Sequence, residues 1–311
     1  MRKQRKALVT TDLEKRDWCG LRLVLALDAP LHLGWRLTGN LKQTRRYVPG
    51  RALWGAITDR SCRRSGATTS TAFEDRGAAL HQSVRFTYGF VSDAPDSVSC
   101  WPWQDEADFD WRFLQSYAST ALVAGSTSEA GSLHETEYLA PVTRDGKYVY
   151  LHLLLWYRST TGGSISDFSE LPDPAFWRGF QLGGERSYGW GRIQRAVTLE
   201  PQNNPFDWAG WNFAPAADGG IHVKSSSAAS GPAALAHVRA LESNGAPCVW
   251  LGAVEPLLGR ETVNRVPGRQ VSKANICYCP GAVSLAPAGT TWTIGPYGIW
   301  QLPECSPQAT D

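Results

Sequence analysis

The chain has 311 residues, 42% of them hydrophobic, and a formal net charge of +2 at pH 7. This length suits one large or two ordinary domains, and the hydrophobic share supports a packed core and excludes wholesale disorder. No apolar run reaches the roughly 20 residues a membrane helix needs. The basic start, Met-Arg-Lys-Gln-Arg-Lys, lacks the apolar stretch that follows in a secretory signal. The sequence therefore reads as a cytoplasmic protein with no membrane partner. Seven scattered cysteines, with only Cys277-Tyr-Cys279 close-set, read as reduced thiols, and neither a metal nor a cofactor is expected.

Charge is segregated along the chain. Between Arg36 and Arg64 stand eight cations (Arg36, Lys42, Arg45, Arg46, Arg51, Arg60, Arg63, Arg64) and one acid, Asp59. Between Val91 and Asp110 stand six acids (Asp93, Asp96, Asp105, Glu106, Asp108, Asp110) and no Lys or Arg. Such a division points to a basic surface for a polyanion and a separate acidic surface.

The first predicted element is a strand over 21–28, where Leu21, Leu23, Leu25 and Leu27 share one face. Pro30 and Gly34 end it. Pro49-Gly50 starts a helix over 52–57, with Leu53 and Ile57 one turn apart. Residues 65–80 are small and polar and read as a loop or a poorly ordered insertion. A second strand is expected over 84–91, followed by the acidic stretch as an excursion. Over 147–158, Val149, Leu151, Leu153 and Leu155 line one strand face, while Tyr148, Tyr150, His152 and Trp156 line the other. The aliphatic face should bury against helices. The aromatic face suits either RNA bases or a neighbouring domain or subunit. A Gly/Ser-rich connection fills 160–169. Asp173-Pro174 opens a helix reaching about Leu182, Asp being a good cap and Pro suited to the first turn. A strand over 192–199 follows.

This order, β-α-β-β-α-β, is the ferredoxin-like arrangement of RNA-recognition folds. The predicted class is thus α+β: a ferredoxin-like domain over 1–200 with a long insertion at about 60–140, then a β-rich or degenerate second lobe over 205–311. In that lobe 233–242 reads as a helix, and 249–258 and 291–302 as strands.

Residues 183–192, Gly-Gly-Glu-Arg-Ser-Tyr-Gly-Trp-Gly-Arg, carry the most functional information. Four glycines in nine positions disfavour helix or strand but allow tight turns and bare amides facing an anion. Arg186 and Arg192 add guanidinium groups matched to phosphate, and Tyr188 and Trp190 offer stacking surfaces. The expected RNA-contacting set is Lys42, Arg45, Arg46, Tyr47, Gly50 and Arg51 from the basic segment, with Gly183, Gly184, Arg186, Ser187, Tyr188, Gly189, Trp190, Gly191 and Arg192 from the loop. The same glycines also suit a plain helix-to-strand turn packed on the core.

Three motifs in order resemble the RAMP superfamily of CRISPR-associated proteins. They are Pro30-Leu-His-Leu-Gly34 ending the first strand, Tyr47-Val-Pro-Gly-Arg-Ala-Leu-Trp-Gly-Ala-Ile57, and Gly183-Gly-Glu-Arg-Ser-Tyr-Gly-Trp-Gly191. More than a hundred residues follow the glycine loop, unlike the usual pattern of the repeat-cleaving Cas-six type. The chain is most similar to a Cas-five-type (type III-D-like) effector subunit. That resemblance implies a RAMP-like fold and a place in an antiviral CRISPR ribonucleoprotein. It implies a subunit that holds the repeat-derived five-prime handle of the crRNA and docks a Cas-seven-type backbone subunit. A crRNA-processing endoribonuclease on the same fold, or a structural backbone subunit, are the other roles the family offers.

The catalytic alternative needs a general base and a cation at the scissile phosphate. His134, in Leu-His-Glu-Thr-Glu-Tyr, and His32 are the candidates, yet no triad, Walker loop or metal cluster stands out. The chain is therefore expected to be a binding protein rather than an enzyme, with no catalytic residue assigned.

Overall fold

The computed structural model describes residues 18–123, 127–158, 168–202, 206–226, 231–240, 250–263, 266–287 and 289–303. The basic start at 1–6 and most of the 160–169 connection lie outside them. In chain order the first part runs β1 (Cys19–Leu27), β2 (Gly34–Thr38), β3 (Leu41–Thr44), α1 (Gly50–Arg64), α2 (Ser70–Ser83), β4 (Val84–Phe86), β5 (Phe90–Ser92), α3 (Glu106–Phe113), β6 (Leu114–Ser119), β7 (His134–Leu139), β8 (Tyr150–Tyr157), α4 (Pro174–Trp177) and β9 (Ile193–Gln202). The rest is built of strands: β10 (Phe206–Trp208), β11 (Trp211–Pro215), β12 (Ile221–Ser225), β13 (Val238–Arg239), β14 (Trp250–Leu251), β15 (Val254–Val263), β16 (Val266–Tyr278), β17 (Val283–Ser284), β18 (Thr291–Ile294) and β19 (Trp300–Gln301). The protein is α+β.

β1 lies at the centre of the first sheet, antiparallel to β8 on one side and to β9 on the other. The order is β4-β8-β1-β9, with β5 also on β8. Leu23 faces Leu153 and Leu25 faces Leu151 across the β1–β8 register, and all four are buried in the first core. Leu53 and Ile57 of α1 join that core from one side of the sheet, as their one-turn spacing requires. Fully burying each such side chain stabilises by about 1.5–3 kcal/mol before entropy is counted.

Several expectations are corrected. Residues 65–80 are not a loop: Ser70–Ser83 is helical, capped by the Thr69 side chain, which accepts from the Ala72 amide. The small residues there serve packing, because Gly77 lies under the Trp54 indole where a Cβ would clash. The strand over 84–91 breaks into two, because Gly89 leaves β8 to bridge Val48. The helix from Asp173 ends at Trp177 rather than Leu182. Gly179 takes a left-handed φ of 69° and its amide turns to the Ile193 carbonyl at 3.0 Å. No helix forms over 233–240; the Ala234 amide instead donates to the Ala282 carbonyl at 2.7 Å, and β13 follows. Residues 241–242 of that expectation lie outside the described residues.

The second face of β8 decides how the two parts of the chain meet. His152, Leu154 and Trp156 are buried there, and Trp156 stacks on Phe213 of β11 with centroids 5.8 Å apart. Leu154 and Trp156 belong to a second core with Trp211, Trp250, Trp292 and Trp300. The reading of this face as a platform for RNA bases is therefore overturned at His152 and Trp156, which the same chain covers, while Tyr148 stays exposed. The β-rich character expected of residues 205–311 is present, chiefly as one eight-stranded sheet, β10-β11-β12-β18-β19-β13-β16-β15. β14 and β17 form a separate pair. A third sheet, β2-β3-β7-β6, projects beside the glycine loop.

Candidate functional site

The glycine loop is tied down by the very motif that ends the first strand. The Gly191 amide donates to the Pro30 carbonyl at 2.7 Å, and the Gly184 amide donates to the His32 carbonyl at 2.9 Å. The His32 ring is buried, with Nδ1 2.7 Å from the Glu137 carbonyl of β7. Gly183 and Gly191 both have left-handed φ values, 75° and 73°, and a Cβ on either would overlap a main-chain carbonyl, that of His32 or of Leu182. These two glycines are required by the close approach itself. Gly189, at φ 82°, has open space around it.

What remains of the loop is thrust outward. Glu185 adopts a left-handed φ of 56° and starts a single 3₁₀ turn, Arg186–Tyr188. Arg186, Ser187, Tyr188 and Gly189 are exposed, Tyr188 at 80%. Its phenol ring is a free stacking surface. Trp190 is not: it is half-buried, edge-on to Tyr138 at 5.1 Å. The amides of Gly184, Tyr188, Gly189 and Gly191 already donate within the chain. Those four amides are therefore not free to meet an anion.

The side chains of the expected site divide into two sets. Arg46 grips Asp110 through two bonds of 2.7 Å and reaches Glu106 at 3.1 Å, tying the helix start to α3. Arg45 donates to Glu255 of β15 at 2.6 Å and to the Tyr47 hydroxyl at 2.9 Å. Arg51 donates to the Leu258 carbonyl and sits over the Tyr297 ring. Tyr47 stacks on Tyr88 at 5.7 Å, and burial pushes its phenol pKa well up. Gly50 is buried where a Cβ would strike the Tyr297 backbone. These five residues of the expected set make contacts within the molecule, and Arg51 also lines a groove with Pro49, Leu257 and Tyr297.

The second set stays at the surface. Lys42 meets Glu185 at 3.4 Å, Arg186 meets Asp59 at 3.5 Å, and Arg192 meets Asp28 at 2.7 Å. Exposed pairs of this kind are worth about 0–1 kcal/mol, so a phosphate can displace their acids cheaply. Between α1 and the loop runs a polar groove of about 410 Å³ lined by Asp59, Arg60, Arg63, Gln181, Arg186 and Ser187. Arg60 and Arg63 were counted in the basic segment but not in the expected site. Their spacing, one turn apart on the helix facing the loop, is the signal that would have found them.

The histidines are engaged elsewhere. His134 meets the Ser119 hydroxyl at 2.9 Å and the Ser132 carbonyl at 3.1 Å. Burial lowers His152 to about 4, so it is neutral near pH 7. His237 is fully buried between Tyr88, at 2.8 Å from Nδ1, and Glu255, at 2.6 Å from Nε2. Burial alone would raise Glu255, but the His237 and Arg45 bonds outweigh it and hold the carboxyl at about 2. His237, Glu255 and Cys279 bring potential metal-ligand atoms within 4.8 Å of one another. Their chemistry opposes a cation: the Arg45 guanidinium already occupies Glu255, and burial pushes the Cys279 thiol up to about 11.

No family model matches this chain, and no curated protein matches it. Solved structures of similar course include a chain of the cryo-EM structure of Type III-B Cmr-beta bound to cognate target RNA and AMPPnP, state 1. It is 10% identical, with a TM-score of 0.49 over 85% of this chain and 85% of that one. A chain of apo Type III-B Cmr-beta has a TM-score of 0.36 at 10% identity, covering 60% of this chain and 98% of that one. A chain of Cmr-beta bound to cognate target RNA has a TM-score of 0.37 at 11% identity, covering 57% and 96%. Likeness at this level assigns no role to this chain.

Proposed function

We propose that this chain is a non-catalytic RNA-binding subunit of a CRISPR ribonucleoprotein effector, in the manner of a Cas-five-type RAMP protein on a ferredoxin-like domain. In this reading it works in the cytoplasm, holds the five-prime handle of the crRNA and docks a Cas-seven-type backbone subunit. One observation carries the proposal: three motifs far apart in sequence converge on one outward-facing turn. Pro30 and His32 accept the loop's amides, and Asp59 of the helix begun at Pro49-Gly50 meets Arg186 of the loop. The result is an exposed Tyr188 beside a groove carrying Arg60, Arg63 and Arg186. A phosphodiester chain laid in that groove would replace Asp59 as the partner of Arg186 and Arg63, with an unpaired base on Tyr188. Lys42 and Arg192 extend the cationic track on either side of the turn.

The absence of a catalytic role is supported by the histidine environments. His32 is walled in beneath the loop, and His134 is bonded within the projecting sheet. The test is to isolate the chain from cells carrying its CRISPR locus and sequence the RNA bound to it. A family of short RNAs sharing one five-prime end is expected. Heterogeneous RNA, or none, would overturn the proposal. Metal-free cleavage of repeat RNA, lost in His134→Ala, would replace it with an endoribonuclease.

A further inference from the structure

The acidic stretch is not accounted for by RNA binding, and the ion pairs show where its charge goes. Asp93 meets Lys147 and Arg112, Glu106 and Asp110 meet Arg46, and Asp108 meets Arg112. Asp105 accepts the Asp108 amide as a helix cap. Within the stretch, Asp96 alone has a carboxylate with no hydrogen bond or ion pair among the described residues; only its main-chain carbonyl is bonded, by Arg22. Asp96 is exposed.

Asp96 stands at a cleft of about 400 Å³ whose lining includes Arg22, Trp101, His152, Asp207 and Trp208. No residue of the glycine loop lines this cleft. Its aromatic walls are firmly set. Trp101 and Trp208 have centroids 5.7 Å apart and planes tilted by 58°. Trp103 stacks behind Trp101 at 5.3 Å, and Phe90 meets both indoles edge-on, at 4.9 and 5.9 Å. Asp207 is exposed, with one carboxylate oxygen accepting from Asn212 at 3.1 Å. The cation in the lining, Arg22, is itself near Glu200, at 3.9 Å. His152 brings no charge at neutral pH, its Nε2 held 2.9 Å from the Ala94 carbonyl.

We propose that this cleft is a docking socket for an arginine side chain of a partner protein. A guanidinium would lie against the indole faces and donate to Asp96 and Asp207. Planarity, weak hydration and a forked donor set suit arginine to this combination of π surface and carboxylate, and suit lysine less well. A nucleobase would find the same indoles, but its phosphates would meet two exposed carboxylates, so the charge selects protein over RNA. The inference stands apart from the RNA reading, since none of these residues lies at the glycine loop.

Saturation-transfer NMR on the full chain tests it, with acetyl-Gly-Arg-Gly-amide as the probe. The matching Lys and Gln tripeptides and adenosine monophosphate serve as competitors. Saturation of the arginine δ-methylene is expected, falling at least about fivefold in the Asp96→Asn, Asp207→Asn double variant. That variant alters exposed side chains, and its circular dichroism and RNA binding should match wild type. Trp208→Phe, which keeps an aromatic wall, should weaken the signal without abolishing it. Undiminished binding by the double variant, equal binding of the Lys or Gln peptide, or displacement of the arginine peptide by adenosine monophosphate would each overturn the proposal.

Discussion

The link between Arg45, Glu255 and His237 offers a quantitative test of how the two parts of the chain are joined. Arg45 leaves β3 and His237 precedes β13, and both converge on Oε1 of Glu255 at 2.6 Å. The Glu255 side chain is 12% exposed and Arg45 15%, so solvent screens the pair little. The folded carboxyl titrates at about 2 against an ordinary 4.5. At about 1.36 kcal/mol per pH unit, this gap stabilises the folded protein by about 3 kcal/mol near neutral pH. Between those two values the unfolded chain binds more protons than the folded one, so the contribution is complete above about pH 4.5. It shrinks as pH falls towards 2, to about 1.4 kcal/mol at pH 3. Glu255→Gln keeps the shape but removes the charge, leaving Arg45 without its carboxylate. Urea unfolding followed by tryptophan fluorescence should show the variant about 3 kcal/mol less stable at pH 7, with half that deficit or less at pH 3. A loss below 1 kcal/mol at pH 7, or a deficit that does not change with pH, would refute this account of the link.

Further predictions concern the loop and the sheet. Arg186→Ala with Arg192→Ala should weaken binding of single-stranded repeat RNA and lower its salt slope by about 1.4, at about 0.7 per lost phosphate contact; an unchanged slope would remove these residues from the interface. Arg46→Ala should instead lower the unfolding midpoint in urea while leaving the salt slope alone, because its guanidinium is committed to Asp110. Gly191→Ala should cost more than about 2 kcal/mol, since strain at positive φ adds to the clash with Leu182. Gly189→Ala should cost about 1–2 kcal/mol, for φ alone, and equal losses in the two variants would contradict the packing described. The His152 ring should titrate by NMR near pH 4. Because its folded value lies below its unfolded one, the stability it contributes is present above about 6.5 and lost as pH falls towards 4. A midpoint above 6 would mean that the face of β8 is open to water.

Local pattern foretold much of the first sheet. The leucine alternation at 21–27 and the aliphatic alternation at 149–155 are properties of a strand with one buried face, and both strands form, over Cys19–Leu27 and Tyr150–Tyr157. The helix start at Pro49-Gly50 and the cap at Asp173 rest on backbone geometry that a few adjacent residues dictate. The glycine loop was likewise visible, because a chain that must turn left-handed at 183, 189 and 191 has few alternatives to glycine. Residues 65–80 misled for a corresponding reason: their small side chains look like loop composition. Only the neighbouring Trp54 explains why they must be small.

What no local pattern contained was the partner of each charge and each ring. Arg45, Arg46 and Arg51 look the same in sequence as Arg186 and Arg192, yet the first three reach Glu255, Asp110 and the Leu258 carbonyl across separations of 64 to 210 residues. The aromatic face of β8 reads equally as an RNA platform or a buried seam until β11 is laid against it. Sequence alone determined the two central strands, the helix start at Pro49-Gly50 and the glycine bend, because backbone preference and hydrophobic period act over a few residues. Tertiary structure decided which cations stay at the surface and which become ties between elements, because that depends on acids and rings brought close only when the whole chain folds.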